Sequence, residues 1–358
     1  MSESRKIYQP IHPSVREKLD PEYVALHDSI IQFIEPSEAQ PWDPSSRFNP
    51  NPLAHAMQTL SRVGKTWDEE LGGGIQVRVF VPEGEAPPGR WPCLVWLHGG
   101  GWVNGGLDSE NGFLTHVCKH VRCAVITINY RHAPEHVYPA AVDDCLTGLR
   151  WVVQPANVSR LNINTSLLTI GGLSAGGSLA AVLTMKASLE NVTPAPISQV
   201  LICPVIDSTA TVETVWSSSK HVPWLTPGRM TWYQNLYFPN HEDKKNWDAS
   251  PCFAPKNIVA RSPKTWIAIA EIDLLAPEGL KYAEQLKDAG VEVETKVYKG
   301  ATHSVLILAG THLISRQLVH DACKTLADGF GSTYDPSLAP IYPQDSGLGL
   351  GVVSLDHQ

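Results

Sequence analysis

The chain has 358 residues, 43% of them hydrophobic and 18% charged, enough apolar material for a large core and too little charge for wholesale disorder. Its 36 acidic against 28 basic residues give a formal net charge of −8, which argues against nucleic acid as a partner, because binding phosphates needs a surplus of Lys and Arg. Seven cysteines stand singly, without the paired spacing of a disulfide framework or a zinc site, and no run approaches the ~20 apolar residues that span a bilayer.

These features, with an N-terminus that lacks the apolar stretch of a signal peptide, point to a cytoplasmic enzyme with no membrane partner. Residues 1–60 mix short helical patterns with the proline-rich stretch EPSEAQPWDPSSRFNPNP and read as a peripheral element. From GIQVRVFVP onward strand and helix alternate. CLVWLHGGG and CAVITINY are buried strands, DDCLTGLRWVV is an amphipathic helix, and LLTIGGLSAGGSLAAVLTMKA is strand, tight turn and helix in succession. That order predicts an α/β fold with a mostly parallel central sheet and helices on both faces, spanning residues 61–330. The alternation lapses over residues 208–247, an insertion rich in Trp, Tyr and Pro, and resumes with TWIAIAEID, EGLKYAEQLKDAG, VETKVYKG and a helix over VLILAGTHLISRQLVHDACKTLADGF. The Gly-, Pro- and Ser-rich residues 331–358 should form an extended tail whose order depends on docking.

Chemistry concentrates at the strand ends. Gly172-Leu173-Ser174-Ala175-Gly176 fits G-x-S-x-G where a buried strand meets an alanine-rich helix, the setting in which small residues let a strained turn present a nucleophilic serine. His98-Gly99-Gly100-Gly101-Trp102 exposes backbone N–H groups that suit an oxyanion, and it lacks the Lys and Ser/Thr of a phosphate-binding P-loop. Among fourteen histidines, His303 alone follows a late strand in a loop, whereas His312 and His320 fall in the next helix, so it is the candidate base. For the acid that orients it, Asp273 at a strand exit is favoured over Glu271, which should lie inside the strand end, while Glu278 reads as a charge at a helix N-terminus.

Taken together, HGGGW, YRHAPEHVYPAAVDD, GLSAGG, SPCFAP, AEIDLLAPEG and GATHS occur in an order that resembles the hormone-sensitive-lipase-like branch of the α/β-hydrolases over about residues 75–330. The resemblance implies a triad of Ser174, Asp273 and His303, an oxyanion hole from the amides of Gly100, Gly101 and Ala175, and structural braces at His98, Tyr130-Arg131 and Ala133-Pro134-Glu135. It also implies a cap formed by residues 1–60 and 208–247. Leu173 stands where the family usually has Asp, and Pro277 where it usually has an acidic residue. Trp102, Leu173, Trp216, Trp224 and Trp232 are the expected substrate-binding residues, with some cap aromatics serving only as anchors. The substrate implied is a small-molecule ester with a short acyl group, cleaved without metal or other cofactor. Lactone or amide hydrolysis and acyl transfer remain open on the same machinery, as does a homodimer. The branch also includes plant hormone receptors that have lost the histidine, and its retention here favours an enzyme.

Overall fold

Apolar runs without polar alternation become strands buried on both faces, and their parallel order follows from the helices that connect them. The computed structural model describes residues 5–49 and 51–343. It contains an eight-stranded sheet of β1 (Lys65–Gly72), β2 (Ile75–Val81), β3 (Trp91–Leu97), β4 (Ala124–Asn129), β5 (Ile163–Leu173), β6 (Ser198–Ile202), β7 (Lys264–Ile272) and β8 (Val293–Thr302). The spatial order is β1-β2-β4-β3-β5-β6-β7-β8. β2 runs antiparallel to both β1 and β4, and every other neighbouring pair is parallel. β1 escaped the sequence reading because KTWDEELG is polar and lies at the sheet edge, half exposed.

The helix Ala140–Val153 buries Ala141, Val142, Cys145, Leu149 and Val152 while Asp143, Thr147 and Arg150 face water, the stripe expected of a helix laid on a sheet. The helix Ala175–Leu189 is buried almost all round. After β3 the chain crosses to β4 on one side, then returns to β5 on the other. The loops leaving β3 and β5 therefore diverge and open a crevice at the carboxyl ends of the strands, where α/β sheets bind ligands.

Two segments meet over this crevice. Arg229, on the helix Pro227–Tyr237 of the insertion, donates to Glu38 at 2.9 Å, to Gln9 at 3.0 Å and to the Trp224 carbonyl at 2.6 Å. One guanidinium thus ties the N-terminal residues to the insertion. The last helix is shorter than its sequence pattern: it begins at Leu313, residues 304–311 are turns, and His312 sits at the N-cap. Residues 331–343 dock on the body, with the Tyr334 hydroxyl between His320 Nδ1 (2.7 Å) and His116 Nε2 (3.1 Å), and the rest of the expected tail lies outside the described residues. All seven cysteines are unpaired thiols. Among the described residues no helix is long and apolar enough to cross a membrane.

Candidate active site

Ser174 occupies the turn between β5 and the helix Ala175–Leu189 with φ 58° and ψ −117°. A residue bearing a side chain adopts such angles only when its surroundings impose them. Here the Ser174 N–H donates to the Ile202 carbonyl at 2.9 Å, and its own carbonyl accepts from Val205 and Ser178, each at 3.1 Å. The flanking glycines allow the close approach: a Cβ on Gly172 would lie 2.2 Å from the Gly176 carbonyl oxygen, and one on Gly176 would lie 2.0 Å from that of Leu97. The motif G-x-S-x-G is thus a packing requirement.

His303 follows β8 directly, and its Nε2 lies 2.9 Å from Ser174 Oγ. Its Nδ1 lies 2.8 Å from Oδ2 of Asp273, the residue just past β7. Asp273 is 1% exposed, and its other oxygen accepts the Leu275 N–H at 3.2 Å. An imidazole that donates from Nδ1 to a carboxylate keeps the Nε2 lone pair for the hydroxyl, so this line of atoms can carry a proton away from Ser174. The Cys203 thiol is close to Asp273 and His303, the three ligating atoms lying within 4.8 Å of one another. Burial and the Asp273 charge push that thiol well above its usual pKa, so it stays protonated beside the Asp273–His303 pair.

The glycine loop after β3 supplies the other half of the site. His98 is fully buried, stacks on Tyr130 at 4.3 Å and places Nδ1 2.7 Å from the Gly99 carbonyl; burial lowers its pKa to about 4, so it is neutral. The Tyr130 hydroxyl donates to the His98 carbonyl at 2.9 Å, and Arg131 chelates the buried Asp144 carboxylate. Gly100 and Gly101 take φ of 116° and 62°. The N–H groups of Gly100, Gly101 and Ala175 donate to no protein acceptor among the described residues. These donors adjoin a cavity of about 400 Å³ whose wall includes Gly100, Gly101, Leu173, Ser174 and His303, with Ile31 and Ile34 from the N-terminal segment and Trp224, Leu225, Met230 and Tyr233 from the insertion.

The remaining carboxylates have other duties. Glu271 accepts from Lys299 Nζ at 2.7 Å and from the Gly300 N–H at 2.9 Å, bracing the turn that leads to His303. Glu278 is in the first turn of its helix, as its position suggests, but it is buried. It accepts from the Ile206 N–H at 2.8 Å and from Trp216 Nε1 at 3.1 Å.

Three of the five expected substrate-binding residues lie elsewhere. Trp216 is an anchor, buried against Glu278. Trp102 is buried face to face on Tyr237 at 4.7 Å, and Trp232 packs on Trp42 and Tyr233 outside the cavity wall. Trp102 and Trp216 spend their aromatic surface in fastening the insertion, and the half-buried Trp232 packs it on the N-terminal segment. Leu173 and Trp224 do line the cavity. Ile31, Ile34, Met230 and Glu110 also line it and were missed, because isolated apolar residues in an irregular segment, one methionine on the short polar helix Pro227–Tyr237, or one glutamate in LDSENGF carry no periodicity or motif.

Residues 94–307 match the family with the α/β-hydrolase fold. The chain is 37% identical over 335 residues to an AB hydrolase superfamily protein of Schizosaccharomyces pombe, covering 90% of this chain and 97% of that one. It is 32% identical over 235 residues to the ethyl acetate hydrolase of Pseudomonas putida, covering 66% of this chain and 72% of that one. A bacterial heroin esterase superposes with a TM-score of 0.77 at 29% identity, over 88% of this chain and 99% of that one. The chain belongs to the α/β-hydrolases, in the hormone-sensitive-lipase-like family of carboxylic ester hydrolases.

Proposed function

We propose that the protein is a serine carboxylesterase acting on small-molecule esters with short acyl groups. The observation that carries this reading is the hydrogen-bonded line Ser174–His303–Asp273 facing a cavity beside three unengaged amides. His303 takes the Ser174 proton as Oγ attacks the ester carbonyl. The oxygen that gains the electron pair is met by the N–H groups of Gly100, Gly101 and Ala175. Collapse breaks the bond to the alcohol, which leaves with the proton from His303. Water then gives its proton to the same imidazole, attacks the acyl-enzyme and releases the acid, returning the hydrogen to Ser174.

The N-terminal residues 1–60 and the insertion act as a cap. A cavity near 400 Å³ is at the small end of ligand sites, and its wall of Ile31, Ile34, Trp224, Leu225 and Met230 favours an apolar acyl chain that does not overfill it. Seven unpaired thiols suit a reducing compartment, which supports a cytoplasmic location. A series of p-nitrophenyl esters from acetate to palmitate tests the reading, with the highest kcat/KM expected between acetyl and hexanoyl. A maximum at palmitate would overturn the short-acyl preference, and failure to cleave any member would overturn the esterase assignment.

A further inference from the structure

Glu110 is a buried carboxyl group inside the cavity wall that the mechanism above leaves unused. It stands at the N-cap of the helix Asn111–Val117 in a left-handed conformation, φ 51° and ψ 15°. Its carbonyl accepts the Leu114 N–H at 2.9 Å, so the backbone is fixed by the helix while the side chain turns back toward β3. There Oε2 accepts from Trp96 Nε1 at 3.2 Å, and Oε1 accepts the Gly99 N–H at 3.3 Å. Gly99 immediately precedes the two glycines whose amides are free. Triple glycine has little intrinsic preference for one conformation, so the aim of those amides must be set by what grips the loop. On one side the His98 ring and the Tyr130 hydroxyl grip it through carbonyls; on the other the Glu110 carboxyl grips it through an N–H.

We propose that Glu110 is a positioning residue for ester cleavage: its carboxyl holds the Gly99 amide and thereby fixes the aim of the Gly100 and Gly101 N–H groups at the reacting carbonyl. This rests on the esterase reading. No basic side chain pairs with Glu110 among the described residues. Tyr130, after β4, feels the Glu110 charge; His98 lies next to Gly99 on the glycine loop, and His303, Glu35 and Arg229 share the cavity wall, the last already engaged by Glu38. Asp108, two residues earlier, is turned outward to Arg78. Burial without a cation pushes the Glu110 carboxyl up to about 7. Below that pH the group is an uncharged brace. Above it, a negative charge appears next to the loop that must stabilise an oxyanion, and turnover falls.

The test compares wild type, Glu110→Ala and Glu110→Gln on p-nitrophenyl butyrate, with kcat and KM measured from pH 5 to 10. Glu110→Ala leaves the Gly99 N–H without its acceptor, so kcat should drop by ~10²-fold, the scale of losing an oxyanion donor, with KM within about threefold. Glu110→Gln restores an acceptor oxygen without an ionisable proton, so it should recover most of that loss. It should also remove the alkaline decline of kcat, which in wild type should amount to roughly tenfold. Wild-type kcat in Glu110→Ala would overturn the positioning role. An unchanged alkaline limb in Glu110→Gln would do the same if Glu110→Ala fails to fold. Loss of the esterase reading would look different: wild type itself would cleave no ester.

Discussion

Asp273 and Glu278 are buried carboxyl groups five residues apart at the exit of β7, and the fold puts them to opposite uses. Asp273 points along the strand ends to His303 and serves the proposed chemistry. Glu278, one helical turn further on, collects the Ile206 and Asp207 N–H groups and the Trp216 indole, and belongs to architecture. Both hold something in place over Ser174: Asp273 an imidazole, Glu278 the root of the insertion. The role of a buried carboxyl group is thus set by what it faces. An imidazole offers a proton relay, whereas peptide and indole N–H groups offer only anchorage.

The largest effects should fall on the chemical side. Ser174→Ala and His303→Ala should each remove ester hydrolysis by ~10⁴–10⁶-fold while leaving far-ultraviolet circular dichroism intact, because members of such a unit fail together. Asp273→Asn should cost ~10⁴-fold in kcat by favouring the wrong imidazole tautomer. Glu271→Gln, which loosens only the Lys299 and Gly300 contacts, should cost far less, and the reverse order would reassign the acid.

On the architectural side, Glu278→Ala should lower unfolding stability by about 3–5 kcal/mol, since two buried N–H donors and one partly buried one lose their acceptor. Urea denaturation measures this directly. Burial pushes the Glu278 carboxyl up to about 8, above its value in the unfolded chain. The folded state therefore holds the proton more tightly between the ordinary carboxylate range and about pH 8, and this contribution to stability is lost as pH rises through that window. Glu278→Gln has no proton to lose. Its melting temperature should vary less between pH 6 and 9 than that of wild type, and parallel curves would show that Glu278 does not titrate there.

The smallest effect separates two tryptophans of the insertion. Trp224→Ala should shift the acyl preference toward longer chains, because Trp224 lines the cavity. Trp232→Ala should leave the chain-length profile unchanged, because Trp232 packs on Trp42 and Tyr233.

Legibility in the sequence followed how local the physical constraint is. The G-x-S-x-G turn could be read because the glycine at 172 is demanded by a contact of 2.2 Å within the turn itself, although the one at 176 answers to Leu97 on the neighbouring β3. β3 and β4 could be read because strands buried on both faces leave apolar runs. The tryptophans could not be sorted by composition, since an anchor such as Trp216 and a wall such as Trp224 look alike until their partners are known. Glu278 looked like a helix-end charge because its three partners lie more than sixty residues away in sequence. The last helix was read too long because apolar residues at 305–309 are buried under turns, which leave the same pattern as a helix.

The claim that Ser174 is the nucleophile is tested most directly by treating the folded protein with a fluorophosphonate and locating the adduct by peptide mass spectrometry. One adduct, on Ser174, absent from Ser174→Ala and formed far more slowly in His303→Ala, is the expected result. Ester hydrolysis that persists without an adduct on Ser174, or an adduct confined to another residue, would contradict it.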